Sequence, residues 1–263
     1  MLLKNKTAII YGAGGAVGGA VARVFAREGA TLFLTGHKLA AVDAVAKDIR
    51  AAGGTVETAA VDALDEKMVE EHASAVIVKT GQIDISFCSI AIPQPGIQGI
   101  PLAELSVEAF TRPIAAYTRA NFVTAKAAAR RMLERKAGVI LMHTPEPARI
   151  GGRLVGGMGP AWAAMEAMSR AFSAELGPHG IRAVCLRSTG MPETKTIEVV
   201  FGLHAKAYGI TREQFQAMIE GNTHRRRSTS LAELAEVAAF MASDRASAMT
   251  GTVANLTGGL IVD

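Results

Sequence analysis

Four glycines fall within the run Gly12-Ala13-Gly14-Gly15-Ala16-Val17-Gly18. The run follows an apolar stretch, Thr7-Ala8-Ile9-Ile10-Tyr11, and passes into a helical pattern from Ala20 to Arg27. That placement suits one kind of chemistry. Glycines let the backbone turn tightly and approach a ligand, and a helix N-terminus offers free N–H groups and a favourable dipole to a phosphate. A ligand-free turn has no need of Gly12, Gly14, Gly15 and Gly18 together. With a strand before the loop and a helix after it, a dinucleotide is the expected occupant. The next informative residues lie where a second strand ends, at Leu32-Phe33-Leu34-Thr35-Gly36-His37-Lys38. A carboxylate there would bind the ribose hydroxyls of NAD, and none occurs between Gly29 and Val42. His37 and Lys38 suit a 2′-phosphate instead, so NADP(H) is expected over NAD(H).

The elements that position these residues follow from periodicity. Apolar runs at 7–11, 31–35, 55–61, 84–88, 138–143, 181–187 and 252–256 predict strands. Helical patterns lie between them at about 15–28, 39–52, 65–80, 107–135, 158–177 and 229–242. The strands are nearly all apolar rather than alternating, as in a sheet covered on both faces. Strand–helix alternation therefore predicts an α/β, doubly wound, seven-stranded and mostly parallel sheet in one domain, 1–263, with helices on both faces. One stretch breaks the rhythm. Residues 190–224 carry two short amphipathic segments, 194–205 and 211–220, with Phe201, Tyr208, Phe215 and Met218. An insertion after a strand's C-terminal end lies where open α/β sheets bind ligands, so a helical substrate lid is expected there.

Composition narrows the class. With 263 residues, 49% hydrophobic and 20% charged, the chain can bury a full core. No apolar run approaches the ~20 residues that cross a membrane, and Met1-Leu2-Leu3-Lys4-Asn5-Lys6 leads straight into a strand, so a cytoplasmic protein is expected. Cys88 and Cys185 both fall in apolar runs and read as buried, reduced thiols. The net charge is +4, and the one dense basic run, His224-Arg225-Arg226-Arg227, reads as a solvated connector. Ser230 with Glu233 three residues on forms a capping box after it. Nucleic acid is not an expected partner.

Along its length, from about Lys6 to Asp263, the chain resembles the short-chain dehydrogenase/reductase family, a Rossmann-type fold. Tyr11 to Gly18 is similar to that family's Thr-Gly-x-x-x-Gly-x-Gly loop, with Ala16 in place of the middle glycine. Val61-Asp62-Ala63 is similar to the segment whose Asp contacts adenine. Glu175-Leu176-Gly177-Pro178-His179-Gly180-Ile181-Arg182 resembles the run into the sixth strand, and Thr250-Gly251-Thr252-Val253 with Gly258-Gly259 the C-terminal strand. The resemblance implies a bound nicotinamide dinucleotide held by Gly12, Ala13, Gly14, Gly15, Val17, Gly18, His37, Lys38, Asp62 and Ala63. It also implies contacts from Ser89, Ile90, Ala91, Trp162, Met191 and Thr194. Members pair through two helices as dimers or tetramers, and Ala127, Ala128, Ala129, Ala163, Ala164 and Ala167 would let like helices approach, so a homo-oligomer is expected.

At the catalytic positions this chain departs from its family. The tetrad Asn falls on Tyr117, the Ser on Pro145, the Tyr on Met158 and the Lys on Trp162. No Tyr occurs between Thr118 and Ala207 and no Lys between Ala137 and Thr194, so a register slip restores nothing. Met158 exchanges no proton, Trp162 has a single uncharged N–H donor and Pro145 lacks a hydroxyl. Ordinary alcohol–ketone interconversion should fail. Three functions remain: an atypical NADP(H)-dependent reductase of an activated alkene or iminium with an apolar small-molecule substrate, a redox-inactive dinucleotide-binding sensor or partner subunit, or, should Trp162 fill the nicotinamide space, a cofactor-free scaffold. Tyr117, longer than the Asn it replaces, is the leading proton donor, with His143 and Glu146 behind it. Unless functional, Tyr117 is packing, His143 a satisfied strand residue and Glu146 an exposed loop acid.

Overall fold

The computed structural model describes residues 1–262. The apolar runs form β1 Thr7–Tyr11, β2 Thr31–Gly36, β3 Val56–Ala60, β4 Ile85–Cys88, β5 Gly138–Pro145, β6 Ile181–Ser188 and β7 Val253–Leu256. They pair in the order β3-β2-β1-β4-β5-β6-β7. Each pairing is parallel, so the sheet expected to be mostly parallel is parallel throughout. A parallel neighbour needs a long crossover, which the intervening helices supply.

Those helices are α1 Ala16–Arg27, α2 Leu39–Ala51, α3 Glu66–Thr80, α4 Val107–Arg135, α5 Met158–Leu176, α6 Lys195–Tyr208, α7 Arg212–Gly221 and α8 Leu231–Ala242. Side chains alternate across the sheet, which explains the largely apolar central strands. Ala8 and Ile10 join Val21, Phe25, Leu234 and Ala238 on the α1–α8 face. Ile9 and Tyr11 join Val69, Ala120 and Val123 on the α3–α4 face. Full burial of an aliphatic or aromatic side chain contributes roughly 1.5–3 kcal/mol, so both faces must be apolar for the sheet to hold.

Local signals set the helix ends. Asp65 accepts the Met68 N–H at 3.1 Å to start α3, and Gly81 at φ +72° ends it. The capping box expected at Ser230 and Glu233 opens α8, and a second, Thr211 with Gln214, opens α7. The basic run is less free than a solvated connector, because Arg225 and Arg227 both pair with Glu233 in the first turn of α8. Gly157 is required at the start of α5: a Cβ there would lie 1.8 Å from the Phe110 carbonyl oxygen of α4. Both cysteines are free and buried, as their apolar surroundings imply. Ala127, Ala128 and Ala129 pack into the protein's own core and so offer no surface to a second copy. Their small size instead lets α4 sit closely on the sheet. Among the described residues no helix is long and apolar enough to cross a membrane.

Candidate nucleotide and substrate site

A cavity of about 450 Å³ opens beyond the C-terminal ends of the central strands. The cofactor loop reaches it through Gly15, Ala16 and Val17, and the end of β4 through Ser89, Ile90 and Ala91. Helix α4 contributes Tyr117 and Asn121, and β5 with its following turn contributes His143, Pro145 and Glu146. Helix α5 adds Met158 and Trp162, and residues 189–222 close the far side. The order of strands reverses beside β1, between β2 and β4, which is where open α/β sheets bind ligands.

The glycine loop fits a diphosphate. Gly15 precedes α1 with no side-chain cap, and no acidic residue lies in the first turn. The N–H groups of that turn therefore have no partner within the helix and can serve an anion. Two glycines serve the fold as well. Gly12, at φ +76°, would place a Cβ 2.6 Å from the Ser89 carbonyl oxygen, and Gly18 would place one 2.6 Å from that of Gly12. Gly12, Ala13, Gly14 and Gly18 do not line the cavity. At the ends of β2 and β3, His37 Nε2 lies 2.8 Å from Asp62 Oδ1, which also accepts the Leu64 N–H at 2.8 Å. His37 and Lys38 are exposed, with Ala63 buried beneath Asp62's turn. Thr194 lines the cavity beside Met191, but its hydroxyl is committed: it donates to the Met191 carbonyl and accepts the Ile197 N–H to cap α6.

The other half of the cavity holds the residues expected to do chemistry. Met158 and Trp162, one turn apart on α5, are 1% and 8% exposed and face the same space. The Trp162 and Tyr117 rings stand 6.3 Å apart. Burial pushes the Tyr117 phenol up to about 12, against the pull of the Ile92 N–H and the Gln94 amide, so it stays protonated and is a weak acid. His143 pairs through Nε2 with the Ser188 hydroxyl at 2.9 Å, and desolvation pushes its imidazole down to about 4. Glu146 is not an exposed loop acid. It begins the 3₁₀ turn Glu146–Ala148, its Oε2 is shielded from solvent without a partner, and desolvation raises its carboxyl to about 7.

Residues 190–224 form α6 and α7, joined by an aromatic cluster. Phe215 meets Phe201 at 5.3 Å, His204 at 5.2 Å and Tyr208 at 5.8 Å. A buried polar chain, absent from the sequence reading, ties this pair to the loop after β4. His204 Nε2 meets Gln98 Oε1 at 3.0 Å, Gln98 donates to Gln94 Oε1 at 2.6 Å, and Gln94 donates to the Ile92 carbonyl. The i, i+4 spacing of Gln94 and Gln98 was the available signal. Asn121, one turn beyond Tyr117, was likewise findable from helical spacing. A buried ion pair, Glu166 with Arg187, joins α5 to β6 through contacts of 2.8 and 2.6 Å, and Thr144 donates to the same carboxylate at 2.9 Å.

A parallel sheet with a glycine cradle at its switch point defines a Rossmann-type, NAD(P)-binding oxidoreductase fold. A family model described as enoyl-(acyl carrier protein) reductase matches residues 12–261, and the chain belongs to the short-chain dehydrogenase/reductase family. It is 31% identical to the uncharacterized oxidoreductase YxbG of Bacillus subtilis, over 98% of this chain and 92% of that protein. Its fold is similar to NAD+-bound xylitol dehydrogenase, with a TM-score of 0.92 and 24% identity over 98% of this chain and 100% of that one. It is also similar to actinorhodin polyketide ketoreductase with NADPH, with a TM-score of 0.88 and 22% identity over 97% of each chain.

Proposed function

We propose that the protein is an NADP(H)-dependent reductase that acts on an activated double bond without a Tyr–Lys pair. The observation that carries this reading is the cavity wall beside the cofactor loop, where Met158 and Trp162 stand one turn apart. Neither can exchange a proton or lower the pKa of a neighbouring phenol, so ordinary alcohol oxidation lacks its acid–base chemistry. The nicotinamide, when bound, supplies a hydride. The protein's part is to hold the dinucleotide by the first turn of α1, with Asp62 toward adenine and Lys38 with His37 toward a 2′-phosphate. Tyr117 keeps its phenolic proton and is the candidate donor for substrates that need one. Helices α6 and α7 act as a lid over a largely apolar substrate, with the Phe201, Phe215 and Tyr208 cluster as its inner surface. The missing lysine also favours a second reading, a dinucleotide-binding sensor or partner subunit without turnover, since Trp162 brings no charge to a nicotinamide ribose.

Calorimetric titration of NADPH and NADH tests the cofactor. Tighter NADPH binding is expected, and equal or reversed affinities refute the assignment. Oxidation of bound NADPH by activated alkenes or iminium ions selects the reductase, and binding without oxidation by any acceptor selects the sensor.

A further inference from the structure

We infer that the cavity takes a substrate carrying a cationic C=N bond, an iminium, with Glu146 as its counter-ion. The inference rests on the reductase reading and names its substrate class. Among the described residues five buried polar side-chain atoms lack a hydrogen-bond partner, and two of them, Asn121 Oδ1 and Glu146 Oε2, line this one cavity. Asn121 is 2% exposed, and its orientation is fixed because Nδ2 donates to the Tyr117 carbonyl at 2.9 Å, leaving Oδ1 as the open acceptor. Asn121 Oδ1 is an acceptor, and Glu146 Oε2 is one in the ionised form that a cation favours. A buried acceptor left unpaired costs about 1–3 kcal/mol, more when charged, and a ligand with positive charge or N–H donors relieves that cost.

The charge of the wall points the same way. Among the described residues Glu146 is the only carboxylate lining the cavity. Among the same residues the only lysine or arginine, Arg153, is solvent-exposed, with its guanidinium 5.3 Å from the centre of the Tyr208 ring. His143 and His204 are desolvated, which holds both imidazoles toward their neutral forms. Trp162 and Tyr117 add π-faces, and indole is the best of these for a cation.

The chemistry then matches the residues. A ketone that accepts a hydride becomes an alkoxide and needs a proton. An iminium carbon accepts the hydride with its electron pair, the C=N π pair moves onto nitrogen as a lone pair, and the product is a neutral amine. The dinucleotide is oxidised by two electrons, and no proton transfer accompanies the step. A wall of Met158, Trp162 and Pro145 is then sufficient, because only the positive charge must be recognised.

Three probes of similar shape test this by calorimetry on the full chain: cationic N-methyldihydroisoquinolinium, neutral dihydronaphthalene and anionic naphthoate. Trp162 is the only tryptophan, so quenching of its fluorescence locates each probe in the cavity. The cation is expected to bind on the order of 10–100-fold more tightly than the neutral probe, the ratio for a charge-assisted contact of about 1.5–3 kcal/mol. Glu146→Gln should erase that ratio and leave dihydronaphthalene and NADPH affinities unchanged. Equal or tighter binding of the neutral or anionic probe by the unmodified protein overturns the inference, as does a ratio that survives in a folded Glu146→Gln. The two readings fail separately. Protein that discriminates by charge but ignores NADPH keeps the cation site and loses the reductase, and protein that binds NADPH but ignores charge does the reverse.

Discussion

Arg187→Met should destabilise the protein far more than its single lost cation suggests. Arg187 and Glu166 are 6% and 5% exposed and meet through two contacts, Nε to Oε1 at 2.8 Å and Nη2 to Oε2 at 2.6 Å. Thr144 adds a third donor to the carboxylate at 2.9 Å. The pair clamps α5, one turn past Trp162, to β6, and through Thr144 to the residue before Pro145. Removing the guanidinium strands a buried carboxylate that one hydroxyl cannot compensate, which costs about 3–5 kcal/mol. An exposed pair such as Lys67 with Glu71, 3.8 Å apart, contributes at most about 1 kcal/mol. At about 2–4 °C per kcal/mol for a chain of this size, Arg187→Met should lower Tm by roughly 10 °C in scanning calorimetry. The double variant Glu166→Met with Arg187→Met should recover much of the loss, because an apolar pair of similar volume leaves no orphaned charge. A loss below about 1 kcal/mol in the single variant, or no recovery in the double, would refute the account of the clamp.

Three further outcomes are expected. Stability should fall as pH drops through the window from 6.5 to about 4: the folded His143 pKa lies below its unfolded value, so the unfolded chain takes up the proton first. The span corresponds to roughly 3 kcal/mol at most, and urea titrations across that window should flatten in His143→Asn; an unchanged slope removes His143 from the acid response. Tyr117→Phe deletes only the hydroxyl, and if Tyr117 is the donor for a C=C substrate the rate should fall by about 10²–10⁴-fold, whereas unchanged turnover with chemistry rate-limiting excludes it. Phe122 is 46% exposed on α4 and meets Phe172 of α5 at 6.1 Å, a surface suited to pairing with a second copy as dimer or tetramer. Light scattering should return a multiple of 27.4 kDa, and a monomer mass excludes assembly through these helices.

Much of the fold was legible because its signals are local. The run 181–187, apolar but for Arg182 and Arg187, reads as a strand covered on both sides, and every residue of β6, Ile181–Ser188, is buried. Ser230 and Glu233 announce the start of α8 from a spacing that only a helix end uses. The loop from Gly12 to Gly18 was recognisable because a strand enters it and a helix leaves it. The two-helix insertion was visible as a break in rhythm. Its union by Phe215 was not, because Phe201 and Phe215 belong to different helices and only their packing brings the rings to 5.3 Å.

The residue types at Met158, Trp162 and Pro145 were readable from the chain alone, and with them the absence of a phenol–amine pair on α5. Sequence did not single out Gln94, Gln98, Glu166 or Arg187, whose buried contacts exist only through packing. Glu146 looks like a solvated loop acid because its neighbours in sequence include two prolines and an arginine. It becomes a desolvated carboxyl because α5 packs against its turn, and the 190–224 segment, remote in sequence, closes the cavity it lines. Asn121 looks like an ordinary helix residue, and it becomes an open acceptor only where α4 faces the cavity. His37 and Asp62 are 25 positions apart and meet at 2.8 Å because β2 and β3 pair in parallel register. Periodicity and capping depend on residues within a turn or two, so sequence alone determines them. Solvation and charge pairing depend on which distant segments displace water, and the tertiary structure alone decides that.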